Sequence, residues 1–217
     1  MRSYRSSLAA AMRGLILGLA FLLVLFARAR ASEPPQAPRN VCVNGGFEEV
    51  KPYLGEDHPV GWFVFNGMDP EIGFAPTSLQ AHSGKRAGRL ATERDNLIGM
   101  NQDLPGVVAG TARFWYRAIH SAVQGENLAF FMIPMRGENG MAGRGEIDPW
   151  GPGSGRIRYT VPAEVVGDGK WHRAVMDFDF QDLGAGHCVF TPRVNDLCPH
   201  RGAGEMLFDD VEILAAE

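Results

Sequence analysis

After residue 40, nearly every apolar segment of this chain is short and is bounded by Gly, Pro, Asn or Asp. The 27 glycines and 14 prolines fit a chain with many turns. Because no stretch keeps a helical period for about ten residues, the pattern predicts an all-β fold. Strands are expected near 41–43, 61–66, 71–74, 88–92, 98–103, 111–119, 127–134, 156–161, 171–180, 187–194 and 206–214.

Two of these segments alternate apolar and polar side chains. In 111–119, Ala112, Phe114 and Tyr116 point to one side, and Arg113, Trp115 and Arg117 point to the other. In 171–180 one face carries Ala174, Met176, Phe178 and Phe180, and the other carries Arg173, Val175, Asp177 and Asp179. Strands with one core face and one polar face predict a two-sheet antiparallel β-sandwich of jelly-roll type.

The first 31 residues have the pattern of a secretory signal peptide. A basic start with Arg2, Arg5 and Arg13 precedes a 12-residue apolar run, and small residues at 29 and 31 suit cleavage before Ser32. The alternative is a membrane anchor, but a bilayer core needs about 20 apolar residues. We therefore expect a signal peptide at 1–31, a proline-rich spacer at 32–39 and one β-sandwich domain at 40–217. The predicted location is secreted, periplasmic or in the cell envelope, with no membrane span after cleavage.

Charge and cysteines narrow the class further. Residues 32–217 carry 16 basic and 25 acidic side chains, a net charge of −9, which disfavours a nucleic-acid partner. In an oxidising compartment, Cys188 and Cys198 are expected to form a local disulfide across a loop. Cys42 is the odd cysteine and is interpreted as a small buried residue of the first strand.

Six motifs in order resemble the jelly-roll carbohydrate-binding modules of the galactose-binding-domain-like type, particularly the branch attached to xylanases and other glucanases. The motifs are Asn44-Gly45-Gly46-Phe47-Glu48, Pro59-Val60-Gly61-Trp62, His82-Ser83-Gly84-Lys85-Arg86-Ala87, Phe114-Trp115-Tyr116-Arg117-Ala118, Gly169-Lys170-Trp171-His172-Arg173 and Leu207-Phe208-Asp209-Asp210-Val211. They span about residues 40–215. The resemblance implies a sandwich that binds a polysaccharide or oligosaccharide without cleaving it.

The same resemblance implies a structural calcium ion held by Glu48 and Asp209. Asp209 shares parity with Leu207, Val211 and Ile213, so it is expected to point to the core side, where a carboxylate needs a cation or hydrogen bonds. Calcium also takes backbone carbonyls, and that of Lys85 is the candidate. Asp210 and Glu49 are expected to be exposed. The alternative is a pair of solvated strand-end acids.

The acidic residues allow two catalytic interpretations besides binding. Glu48 and Asp209 could form a glycosidase acid and nucleophile pair, but no other acid or aromatic residue accompanies them. Residues 145–148 resemble half of a β-glucanase motif, but Gly151 stands where its third acid is needed. The chain is therefore predicted not to be an enzyme, with a hydrolase or lyase of unrecognised site as the last alternative.

The face with Arg113, Trp115 and Arg117 is the predicted ligand contact. An aromatic plane stacks on a sugar ring, and charged groups bond its hydroxyls. Asp177 and Asp179 would supply acceptors, and Trp150 in the glycine-rich loop is a second aromatic candidate. The structural alternative is that a loop covers Trp115 while the arginines pair with the aspartates.

Trp62 and Trp171 are expected in the core, and the six histidines on the surface or in loops. The alternative function is that of a structural or adhesive envelope protein that binds another protein. Its partner would be an envelope protein or an enzyme.

Overall fold

A computed structural model describes residues 37–53, 55–66, 76–135, 155–196 and 202–216. One compact unit spans Pro38–Glu217. Helical structure in the described residues is limited to two three-residue 310 turns, Ala163–Val165 and Gln181–Leu183. The predicted all-β fold class is confirmed.

The described strands number twelve. They are β1 (Val50–Tyr53), β2 (Glu56–Pro59), β3 (Phe63–Asn66), β4 (Thr77–Ser78), β5 (Ala87–Thr92), β6 (Ile98–Pro105), β7 (Ala109–Ser121), β8 (Leu128–Met135), β9 (Ile157–Thr160), β10 (His172–Asp179), β11 (His187–Val194) and β12 (Gly204–Ala215). All the strand pairings are antiparallel. The first sheet has the order β10-β7-β12-β5-β4, the second sheet has the order β3-β6-β11-β8-β9, and β1 pairs with β2 alone.

The segment 41–43 is not a strand, so that prediction was wrong. Asn40 forms an isolated bridge with Leu214, and the Val41 amide donates to the Ile213 carbonyl over 2.8 Å. Asn44 then has a left-handed φ of 51°, and the carbonyl of the next residue, Gly45, accepts the Val211 amide of β12. The short strands β1, β2 and β4 were not predicted, and the predicted strand at 71–74 lies outside the described residues.

The core lies between the two five-stranded sheets and is rich in aromatic rings. Phe114 of the first sheet contacts Phe130 of the second with ring centroids 4.1 Å apart, and Phe190 packs against both. Trp62 is buried against Phe47, as predicted, and its indole N–H donates to the Asn44 carbonyl. Each buried large apolar side chain contributes about 1.5–3 kcal/mol, so these contacts hold the two sheets together.

Strand β12 carries a bulge that reverses its side-chain pattern. Phe208 opposes Tyr116 and Asp209 opposes Trp115, but the next paired residue is Glu212, opposite Arg113. Asp210 within the bulge has a left-handed φ of 48°. Before the bulge, the even-numbered residues Met206 and Phe208 point into the core. After it, the odd-numbered residues Val211 and Ile213 point into the same core.

Candidate functional site

The outer face of the first sheet carries the predicted polar row. Trp115 on β7 lies between Arg173 on β10 and Asp209 on β12. One step along, Arg113 lies between Val175 and Glu212. Because opposed residues of an antiparallel pair share a face, these side chains line one surface, as the alternation predicted.

A pocket of about 540 Å³ opens on this face. Its lining residues include Arg113, Trp115 and Arg173, with Asp210 and Glu212 from β12, and Gly45 and Gly46 from the opening motif. The volume is within the range of about 300–1,000 Å³ typical of small-molecule sites. The predicted ligand residues Arg113 and Trp115 therefore meet in one concavity.

His82 covers part of Trp115. The two rings are stacked with centroids 4.0 Å apart and planes 15° apart, and Trp171 meets the edge of His82 at 5.6 Å. His82 is half-buried rather than a free surface residue. The expectation that Trp171 lies in the core was wrong, because it is only partly buried and packs against this loop histidine. Nothing in the local sequence of either residue signals this cluster beyond their places in the resembling motifs.

Asp177 and Asp179 lie exposed on the same outer face but do not pair with the arginines. An Asp177 carboxylate oxygen accepts the Thr111 hydroxyl at 2.7 Å, and an Asp179 carboxylate oxygen accepts the Gln181 amide at 3.0 Å. Arg117 instead donates to the Gln80 side chain at 3.3 Å. The structural alternative predicted a loop over Trp115 and ion pairs between the arginines and the aspartates. The loop contact is present through His82, but these ion pairs do not form. Trp150, Glu146 and Asp148 lie outside the described residues.

The closing-strand acids hold the loop between β4 and β5. Asp209 is fully buried, and its Oδ2 accepts the amides of His82 at 2.9 Å and Ser83 at 3.1 Å. Asp210 accepts from His82 Nδ1 at 2.7 Å and from the Ser83 hydroxyl at 2.6 Å. The prediction that Asp210 is exposed was wrong, since it is half-buried by these contacts. Asp209 was expected to be buried and is, but the bulge places it under this loop on the outer face instead of in the core.

Glu48 of the opening motif holds the same loop from its other end. Its Oε1 accepts the amides of Lys85 at 2.6 Å and Arg86 at 3.0 Å, although the side chain is exposed. Glu49 is exposed, as predicted. Residues 82–86, here called the 82–86 loop, are therefore bonded by one carboxylate from the start of the domain, Glu48, and by two from its end, Asp209 and Asp210.

The pKa values of Asp209 and Glu48 are shifted in opposite directions. Burial raises the pKa of Asp209 to about 6, although backbone amides partly offset this. The amides of Lys85 and Arg86 lower the pKa of Glu48. In the described ranges, no three His, Cys, Asp or Glu side chains cluster closely enough to hold a metal. A cation beside Asp209 would need backbone carbonyls as further ligands, which calcium accepts and zinc does not favour.

The two described cysteines are buried to different degrees. Cys188 belongs to the core, and Cys42, though not on a strand, packs against it. Burial raises the pKa of both thiols to about 12. The two do not bond to each other, and Cys198 lies outside the described residues, so the Cys188–Cys198 disulfide stays a prediction.

Comparison with known proteins yields similar folds only. The sequence matches no protein-family model and no curated protein. Solved structures similar to the chain include the family 11 carbohydrate-binding module of a Clostridium thermocellum cellulosomal cellulase (14% identity, 83% of this chain and 97% of that one, TM-score 0.49). They also include a family 22 xylan-binding domain from Paenibacillus barcinonensis (14%, 83% and 98%, TM-score 0.48).

A third similar structure is the K3 adhesin domain of Lys-gingipain from Porphyromonas gingivalis (16%, 82% and 100%, TM-score 0.49). Carbohydrate-binding modules of the predicted jelly-roll type are thus among the solved structures that resemble the chain. At these identities the likeness is one of fold, and a fold of this kind hosts many functions. In the described part of the chain, none of the helices has the length and apolar character to cross a bilayer.

Proposed function

We propose that this chain is a non-catalytic, exported carbohydrate-binding protein whose site is the outer-face pocket of the first sheet. The observation that carries the proposal is the convergence of Arg113, Trp115 and Arg173 on one concavity of about 540 Å³. An indole supplies an apolar surface for a sugar ring, and two guanidinium groups supply hydrogen-bond donors. These three residues stand on β7 and β10, which pair over eight registered positions and so hold them rigidly.

Binding suits this pocket better than hydrolysis at the end-strand acids. Asp209 is fully buried beneath the 82–86 loop, and its oxygens accept backbone amides. A glycosidic bond has no access to that carboxylate. Three further polar residues of the same strands lie beside the pocket: Arg117 on β7, and Asp177 and Asp179 on β10. They would contact additional sugar units of a ligand longer than one sugar.

The proposal includes a structural calcium ion held by Glu48, Asp209 and the Lys85 carbonyl. Its support is the buried Asp209 charge, whose raised pKa means that the surrounding amides compensate it incompletely. A divalent cation would complete that compensation and tie the 82–86 loop to both ends of the domain. Its effect would be structural, since it would fix the loop that carries His82 over Trp115.

Titration calorimetry of the whole chain against soluble polysaccharides, preceded by a glycan array, tests the binding proposal. Trp115→Ala should weaken binding at least tenfold, whereas Tyr53→Ala, an exposed aromatic residue of β1, should not. Melting temperatures of both variants separate lost contact from lost stability. If no glycan binds, or if Trp115→Ala changes stability alone, the proposal is wrong, and co-purified proteins or released sugars would point to the adhesive or hydrolytic alternatives.

A further inference from the structure

The arginines of the outer-face pocket have no acidic partner among the described residues. Arg113 and Arg173 stand on adjacent strands and both line the pocket. The ion pairs of the described chain involve other arginines. The two aspartates that could have neutralised them, Asp177 and Asp179, are bonded to Thr111 and Gln181 instead.

The carboxylates that share the pocket lining keep their charge, but they do not occupy the guanidinium donors of Arg113 and Arg173. Asp210 is bonded to His82 and to the Ser83 hydroxyl. Glu212 opposes Arg113 in register, but no ion pair joins them, and both Glu212 and Arg173 are exposed to solvent. Arg113 and Arg173 thus line one cavity without an ion-pair partner among the described residues.

The stacking surface of the pocket is limited, since His82 lies against the ring of Trp115. With a ring face of Trp115 taken, the arginines supply most of the remaining recognition chemistry. A guanidinium is a planar fork of donors that matches the oxygens of carboxylate and similar oxyanions, and such charge-assisted bonds are about twice as strong as neutral ones.

We infer that the pocket takes an anionic sugar unit, with Arg113 and Arg173 bonding its carboxylate or sulfate oxygens and Trp115 packing against its ring. The inference rests on the proposed carbohydrate-binding function and narrows its ligand class. Of the two sources of negative charge, a uronate presents a planar group and a sulfate ester a tetrahedral one. Both meet the same pair of arginines.

Calorimetry with matched ligands tests the inference. One arm compares oligogalacturonate with its fully methyl-esterified form, and the other compares a sulfated galactan oligosaccharide with its desulfated form. The acidic member of at least one pair should bind tenfold or more tighter than its neutral counterpart, and raising the salt from 50 to 500 mM should reduce that preference. The arm that responds identifies the anionic group.

Three variants assign the preference to the pocket. Arg113→Gln and Arg173→Gln should each remove most of the discrimination, whereas Arg94→Gln, the same charge change in an exposed loop, should keep it. If neutral sugars bind as tightly as their acidic forms, the inference is overturned while the binding function stands. If neither form binds in either arm and the glycan array is also blank, the binding function falls with it. A preference that survives both pocket variants places the anion elsewhere and overturns the inference.

Discussion

His82 and Trp115 lie face to face with their ring planes 15° apart, although His82 comes from a loop and Trp115 from the middle of β7. Asp210 fixes the histidine from the side through a 2.7 Å bond to Nδ1. The ring that stacks on Trp115 is thus held by the closing strand. This relationship links the stability of the 82–86 loop to the shape of the pocket.

His82→Ala is expected to destabilise the domain by about 1–2 kcal/mol, because it removes a ring stack, an edge contact with Trp171 and a charge-assisted hydrogen bond. Urea denaturation followed by circular dichroism measures the change. His120→Ala, an exposed histidine of the same sheet, is the control and should have no effect. Equal stability of the two variants would mean that the stack contributes nothing.

Gly45→Ala is expected to cost about 1–3 kcal/mol of unfolding free energy, since a Cβ at this position collides with the Val211 carbonyl. That carbonyl belongs to the bulge, and the Val211 amide bonds back to the Gly45 carbonyl at 3.0 Å. The backbone here cannot retreat without losing that bond. Gly186→Ala is the matched control because no atom lies near the added methyl group. Thermal melts of the two variants that coincide would contradict this account of the bulge.

The strands with period-two alternation were predictable, and the bulge was not. The limits of β11 match the prediction, and β7 and β10 place every alternating residue on its expected face. The bulge depends on one left-handed residue, Asp210, which no apolar pattern marks. The cover on Trp115 depends on a loop that meets Asp209 and Asp210 across 126–128 residues of sequence, a distance at which local patterns carry no information.

The pKa of Asp209 predicts a pH dependence of stability. An unfolded aspartate loses its proton near pH 3.8, whereas buried Asp209 keeps its proton up to about pH 6. Between these values the folded state binds more protons than the unfolded state, so the unfolding free energy falls as pH rises from about 4 to about 6. The difference between the two pKa values corresponds to a decrease in unfolding free energy of at most about 3 kcal/mol.

Urea denaturation between pH 4 and pH 7 in the presence of chelator measures this loss. Asp209→Asn cannot titrate, so its stability curve should be flatter over the same window. Subtracting the variant's curve from that of the parent isolates Asp209 from the other carboxylates, including Glu48. Parallel curves for the two proteins would show that Asp209 is ionised at ordinary pH in the folded state.

Calcium is expected to raise the melting temperature, and more at pH 7 than at pH 5, because a protonated Asp209 cannot ligate the ion. Calorimetric melts with calcium and with chelator measure the difference at each pH. Glu48→Gln and Asp209→Asn should abolish the effect, whereas Glu49→Gln, the exposed neighbour, should preserve it. A melting temperature indifferent to chelator, with no metal bound to the purified protein, would rule the ion out.

Thiol titration tests the predicted disulfide. In the native protein, Cys42 should not react with a thiol reagent, because burial raises the pKa of its thiol to about 12 and leaves little thiolate. Cys188 should also be inert, whether it is bonded to Cys198 or is a buried thiol of similarly raised pKa. After denaturation without reductant, a Cys188–Cys198 bond would leave one reactive thiol, that of Cys42. After reduction all three cysteines should react. Three reactive thiols before reduction would show that the protein folds without the bond, and that the apolar surroundings of Cys188 in β11 alone keep it inert.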